Sequence, residues 1–239
     1  MSISINDFLD PTILSSLAFL VFVLVILYFT LRKMKTQIKK TKIFLIISLI
    51  LLIWFFTIVV LGKIGFFAEA YYWLFVPNIV VGFLVIFEFL RRAYNSKILK
   101  EITDKIPQHW IIGVQFYRIV GVGFIILWAR GILPAVFAFS AGFGDIFIAI
   151  TSLFVALLYF KIKHYTRKIA IIWNYLGILD LVIALSIGFL GFPRPVQFVP
   201  LSPSTEPLSL FPLVIIPLFA VPLAILLHLF SLRVLKKEN

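Results

Sequence analysis

The sequence contains no cysteine, which excludes disulfides, thiolate metal sites and cysteine nucleophiles. Charge is also scarce: 13% of the 239 residues are Asp, Glu, Lys or Arg, against roughly 25% in a soluble domain. Acidic residues are rarest, 10 against 22 basic ones. The three histidines, His109, His164 and His228, are scattered without a His-x-x-x-His spacing, so no zinc site is expected. A cleavable signal peptide is not expected either. Asp7 and Asp10 stand where its basic region belongs, and the apolar run that follows is too long, so the first run reads as an anchor.

Apolar residues fill the space that charge leaves. They make up 62% of the chain, with 27 phenylalanines, more than the roughly 45–50% that a soluble domain hides. The expected class is therefore all-α, a polytopic transmembrane helix bundle, with residues 1–239 forming a single transmembrane domain. Seven runs are long enough to cross roughly 30 Å of hydrocarbon at about 1.5 Å per residue: 13–31, 43–61, 71–90, 110–129, 132–160, 169–190 and 210–232.

The connectors alternate in charge. Arg32, Lys33, Lys35, Lys39, Lys40 and Lys42 follow the first run, Arg91, Arg92, Lys97, Lys100 and Lys105 the third, and Lys161, Lys163, Arg167 and Lys168 the fifth. Arg233, Lys236 and Lys237 follow the last run, while the opposite connectors carry only Lys63, Arg130 and Arg194. The positive-inside rule then predicts the N-terminus out and the C-terminus in, in agreement with seven spans, and the expected location is a prokaryotic cytoplasmic (inner) membrane. The net charge of +12 is read as this topology signal plus contact with membrane lipids, chiefly anionic headgroups on the cytoplasmic side, and not as nucleic-acid binding.

Tyr71, Tyr72, Trp73, Trp110, Trp128 and Tyr159 sit at run ends, where an interfacial aromatic belt is expected. Ile98, Leu99, Ile102 and Ile106 recur at helical spacing among charges before Pro107, predicting a short amphipathic helix on the inner surface. The 191–209 connector carries Pro193, Pro195, Pro200, Pro203 and Pro207 and is expected to be stiff and extended, either a plain connector or a cover over the external mouth.

Arg118, Asp145 and Asp180 lie inside consecutive apolar runs, each within about one turn, on the order of 5 Å, of the midpoint. Charge at that depth is costly, so it faces the bundle interior, is paired, and often marks a pathway or active site. Small residues share its faces: Gln115, Arg118 and Gly121 on the fourth run; Ala138, Ala141, Gly142, Asp145, Ala149, Ser152 and Ala156 on the fifth; Gly177, Asp180, Ala184 and Gly191 on the sixth. Gly142-x-x-Asp145-x-x-Ile-Ala149 is echoed by Gly177-x-x-Asp180-x-x-Ile-Ala184, as in an inverted repeat around a midplane site. One Arg against two Asp predicts one paired carboxylate and a second free to bind a proton or cation. Asn174 and His228 are further candidates, with Pro212, Pro217 and Pro222 expected to kink the last run and free backbone carbonyls. Asn78 is another possible polar contact, and Glu88 is expected to pair with Arg91 and Arg92.

Seven spans with this orientation are similar to rhodopsins in topology alone. The last run has no lysine for a Schiff base, so no retinal is expected, and no other cofactor is signalled. Gln115-x-Tyr-Arg118-x-x-Gly121, Leu133-Pro-x-x-Phe-Ala138, Ala141-Gly-x-Gly-Asp145, Trp173-Asn-x-x-Gly-x-x-Asp180 and the 217–228 stretch resemble an uncharacterised prokaryotic seven-helix membrane protein family. Phe139-Ser140 with Gly144-Asp145, and Asp180 followed by Leu-Val-Ile-Ala, are similar to motifs of the lysoplasmalogenase-like membrane hydrolases. That resemblance implies two intramembrane aspartates acting on a lysolipid, although Leu179 replaces the serine expected before the second aspartate.

Three readings follow. The first is a transporter or channel-like protein for a proton, cation or small solute, with Arg118, Asp145, Asp180, Gln115, Asn174 and His228 as the binding site. The second is an intramembrane hydrolase in which Asp145 and Asp180 are catalytic. The third is a non-catalytic scaffold in which the charges fasten helices.

Overall fold

A computed structural model describes residues 10–34, 40–68, 70–71, 76–193 and 199–237. Apart from one two-residue β-ladder, its regular structure is helical: α1 (Pro11–Lys33), α2 (Lys40–Lys63), α3 (Asn78–Asn95), α4 (Lys97–Thr103), α5 (Gln108–Ala129), α6 (Ala135–Lys161), α7 (Lys163–Leu190) and α8 (Ile216–Lys237). In the ladder Ala70 pairs with Pro77 and Tyr71 with Val76, antiparallel.

Among the described residues, six helices are long and apolar enough to cross a membrane: α1, α2, α5, α6, α7 and α8. The third run, expected over 71–90, forms its helix later, from Asn78 to Asn95. Pro77 lacks an N–H and holds residue 76 extended, and Asn78 Nδ2 donates to Phe66 O at 2.7 Å, fastening the entry. The shift carries Arg91 and Arg92 into the helix with Glu88, where Arg91 Nε and Arg92 Nε meet the Glu88 carboxylate at 2.6 and 2.7 Å. Asn78 is thus engaged in fastening this entry. Tyr72, Trp73 and Pro195 lie outside the described residues.

α8 is the central helix. Of its most apolar stretch, 78% is buried, against 28–33% in the other five long helices. Those five turn large side chains such as Phe22, Ile53, Ile126, Phe154 and Ile172 outward, as lipid-facing helices do. α5, α6, α7 and α8 form an antiparallel sequence of neighbours. α6 and α7 pair at positions equidistant in sequence from Ile162, the single residue between them: Trp173 Nε1 donates to Thr151 Oγ1 at 2.9 Å, and Asp180 faces Gly144. The small residues expected to face inward on α6 do so, with Ala138, Ala141, Gly142, Ala149, Ser152 and Ala156 all buried. Tyr159 is an exception to the aromatic belt. It is 4% exposed, packed with Ile112, Ala156 and Trp173.

The basic helix ends gather in one layer. Arg233 donates to Lys100 O at 2.8 Å and to Thr103 Oγ1, and it pairs with Asp104 at 2.9 Å, beside Lys237 at 2.8 Å. This cluster docks the short helix α4 onto the end of α8, with Ile102 buried as the amphipathic pattern requires. At the other end, Thr205 Oγ1 donates to Gly188 O at 2.6 Å. The proline-rich connector therefore folds back on the end of α7 and adds a 3-10 turn, Glu206–Ser209.

Candidate functional site

Within α5, residues Val114–Gly121 are wound as a 3-10 helix. Side chains three apart eclipse in this geometry, so Gln115, Arg118 and Gly121 form one row, and all three are buried. Arg118 is 1% exposed. Its Nε donates to Asp145 Oδ1 at 2.7 Å, its Nη2 donates to Asp180 Oδ2, and its Nη1 reaches Gly177 O at 3.4 Å. One planar guanidinium thereby joins α5, α6 and α7, the forked donor geometry that arginine alone provides. The expected division, one carboxylate paired and one free, is not what is seen: Arg118 holds both. The remaining oxygens, Asp145 Oδ2 and Asp180 Oδ1, take no hydrogen bond among the described residues.

Glycines make room for this chemistry. Asp145 rests on Gly121 of the preceding helix, Asp180 on Gly144, and the His228 ring on Gly177; a Cβ at any of these glycines would collide with the polar side chain. The sequence marked Gly121 and Gly177 through helix-face spacing. Gly144 lies off the predicted stripe, and only the register of the α6–α7 hairpin reveals its role.

A file of buried polar groups leads from this centre toward the basic end. Asn174 Nδ2 donates to Ala170 O at 2.8 Å and to Ser231 Oγ at 3.0 Å, and Ser231 Oγ donates to Gln108 Oε1 at 2.9 Å. Because a carbonyl oxygen can only accept, the Asn174 NH₂ group must face Ala170, which turns Oδ1 toward His228 Nδ1 at 2.9 Å. His228 therefore carries its proton on Nδ1 and presents a bare Nε2 beside Gly177. His228 Nε2, Gln115 Oε1 and Gln108 Nε2 are buried with no hydrogen-bond partner among the described residues. Gln108 lines a cavity of about 310 Å³ together with Asp104, Lys105, His109 and Tyr159.

The opposite side of the centre is apolar. A second cavity, of about 70 Å³, has Asp145 in its wall and extends to Phe192 and Leu208 in the α7–α8 connector. The kinked start of α8, a π-helical turn over Ile216–Ala220, borders it. Of the carbonyls expected to be freed by the prolines, Leu218 O is capped by a side chain, and two further carbonyls of α8 also take side-chain donors. Leu218 O, whose α-helical donor would be Pro222, accepts from Trp54 Nε1 at 3.1 Å; Ala220 O accepts from Tyr117 OH at 3.2 Å, and Ala224 O from Gln115 Nε2 at 3.4 Å. Tyr117 is itself stacked on Phe19, with ring centroids 3.7 Å apart. Sequence reasoning overlooked Trp54, Tyr117 and Gln108. A tryptophan or tyrosine in an apolar run carries no mark of the distant carbonyl it will cap.

The six candidate residues thus fall into three groups: Arg118 with Asp145 and Asp180, Asn174 with His228, and Gln115, which shares the row of Arg118 and donates to Ala224 O of α8. A family model described as a domain of unknown function, DUF8737, matches residues 74–236. The chain belongs to this family. The whole charged assembly lies within the matched region, while α1 and α2 precede it. No curated protein and no solved structure matches the chain.

Proposed function

We propose that this protein is a seven-pass transport protein of a prokaryotic cytoplasmic membrane. Its Arg118–Asp145–Asp180 cluster would take up a proton or a small cationic solute half-way across the bilayer. The seventh crossing is α3, whose 18 residues span about 27 Å as a helix. The basic layer at the ends of α1, α6 and α8 supports an N-out, C-in orientation, with that layer against the anionic headgroups of the inner leaflet.

The observation that carries the reading is the charge imbalance at a reachable carboxylate. Arg118 balances one of the two carboxylates, so the buried cluster is formally −1 when all three groups are ionised. A lasting unbalanced charge in a low-dielectric interior is expensive, so a proton or a monovalent cation neutralises it. Asp145 meets the cavity on the connector side, while the Asn174–Ser231–Gln108 file leads from His228 toward the basic face. A midplane site with separate approaches from two sides is the arrangement that alternating access uses.

Proteoliposomes test this. Asp145→Asn and Asp180→Asn should fold yet lose proton-coupled flux. If the wild type instead hydrolyses lysolipid and the same variants do not, the protein is an intramembrane hydrolase. If neither activity is present and the variants lose only thermal stability, the cluster is a fastener.

A further inference from the structure

The cavity beside Asp145 has a chemistry that selects among cations. Asp145 is the one ionisable side chain among its described lining residues, and the others are apolar or glycine. Phe83, Phe124, Phe137 and Phe192 contribute aromatic walls, and Phe124, Phe137 and Phe192 are themselves buried. A hard cation asks for roughly six or more oxygen ligands, and this cavity supplies one carboxylate. An anion would add to a cluster that is already formally −1, and a neutral solute would leave that charge in place. A weakly hydrated organic cation matches both features: its charge is balanced by the carboxylate, and its apolar surface is accepted by aliphatic groups and ring faces. The volume limits its size. At about 70 Å³ the space is under half of the roughly 150 Å³ cavity known to admit benzene.

We propose that this cavity binds a small monovalent alkylammonium ion, with its cationic head on Asp145 and its alkyl groups against the phenylalanine walls. The proposal rests on the transport reading above and names the substrate class of that site. One such ion, like one proton, brings the Arg118–Asp145–Asp180 cluster to neutrality, so the two compete for it. The expected process is exchange of one alkylammonium for one proton, with no covalent step.

The test uses full-length protein in liposomes with an imposed pH gradient. Radiolabelled methylammonium is the probe, because it is small enough for this space, and protein-free liposomes measure the leak of its neutral form. Saturable uptake above that leak is expected, competed by dimethylammonium but not by the bulkier tetrabutylammonium. It should fall more than about tenfold in Asp145→Asn. The ion series is measured on wild-type protein, so the proposal stays testable even if that variant fails to fold. Gradient-driven flux of Na⁺ or K⁺ with no uptake of methylammonium above the leak overturns the substrate class and leaves transport standing. Absence of all cation and proton flux in liposomes holding folded protein overturns both.

Discussion

The Asp180 carboxylate lies directly against the backbone of Gly144, in the space where any other residue would place its Cβ. The same relationship joins Asp145 to Gly121 and His228 to Gly177, so each of these three polar groups is admitted by a glycine on the preceding long helix. Close backbone approach at small residues is how transmembrane helices bring polar groups together. Here it also sets their depth, because a carboxylate seated on a glycine cannot slide along its neighbour.

Gly144→Ala should therefore destabilise the bundle by about 1–3 kcal/mol, as overpacking of a filled interior does. Gly123→Ala is the control. Nothing lies within 4 Å of a Cβ added there, and replacing a helical glycine by alanine stabilises by up to about 1 kcal/mol. Thermal unfolding in detergent reads both. Equal behaviour of the two variants would contradict the seating of Asp180.

Arg118 gives a second prediction. Arg118→Leu leaves two largely buried carboxylates without their donor, and breaking a buried pair in this way costs up to about 3–5 kcal/mol. Adding Asp145→Asn and Asp180→Asn removes the stranded charges, so the triple variant should recover much of that loss. A triple variant no more stable than Arg118→Leu would show that the guanidinium contributes by packing rather than by charge.

The sequence made the pairing of Arg118 with one of these carboxylates legible, but not that it holds both. Arg118, Asp145 and Asp180 stand out because polar residues are rare in apolar runs, and the spacing of Gln115, Arg118 and Gly121 marks a shared face. The 3-10 winding of Val114–Gly121 leaves no such mark, since a spacing of three suits an α-helix as well. That one guanidinium holds both carboxylates depends on the register of the hairpin about Ile162, which residue types do not encode. The centrality of α8 was hidden for another reason. When every run is apolar all round, hydrophobicity cannot separate a lipid-facing helix from a buried one.

The absence of cysteine makes orientation directly testable, since each introduced thiol is the only one present. Glu206 lies in the α7–α8 connector and Asn95 at the end of α3, and both are exposed. In intact cells, a membrane-impermeant maleimide should label Glu206→Cys directly and Asn95→Cys only after permeabilisation. The reverse pattern would invert the proposed topology.

His228 offers the sharpest check on the polar file. Asn174 accepts from His228 Nδ1 at 2.9 Å while its own NH₂ is held by Ala170 O and Ser231 Oγ, so the imidazole has one allowed tautomer. Nitrogen NMR of protein in which His109 and His164 are replaced should find Nδ1 protonated and Nε2 bare. Asn174→Leu removes the acceptor, so the Nδ1–H preference should disappear. The change should also cost about 1–3 kcal/mol, because Nδ1–H becomes a buried donor without a partner. A wild-type signal showing Nε2 protonated would mean that Asn174 does not orient the ring. The lone pair beside Gly177, which the Arg118 guanidinium also approaches through Gly177 O at 3.4 Å, would then be unable to accept a proton arriving from the charged centre.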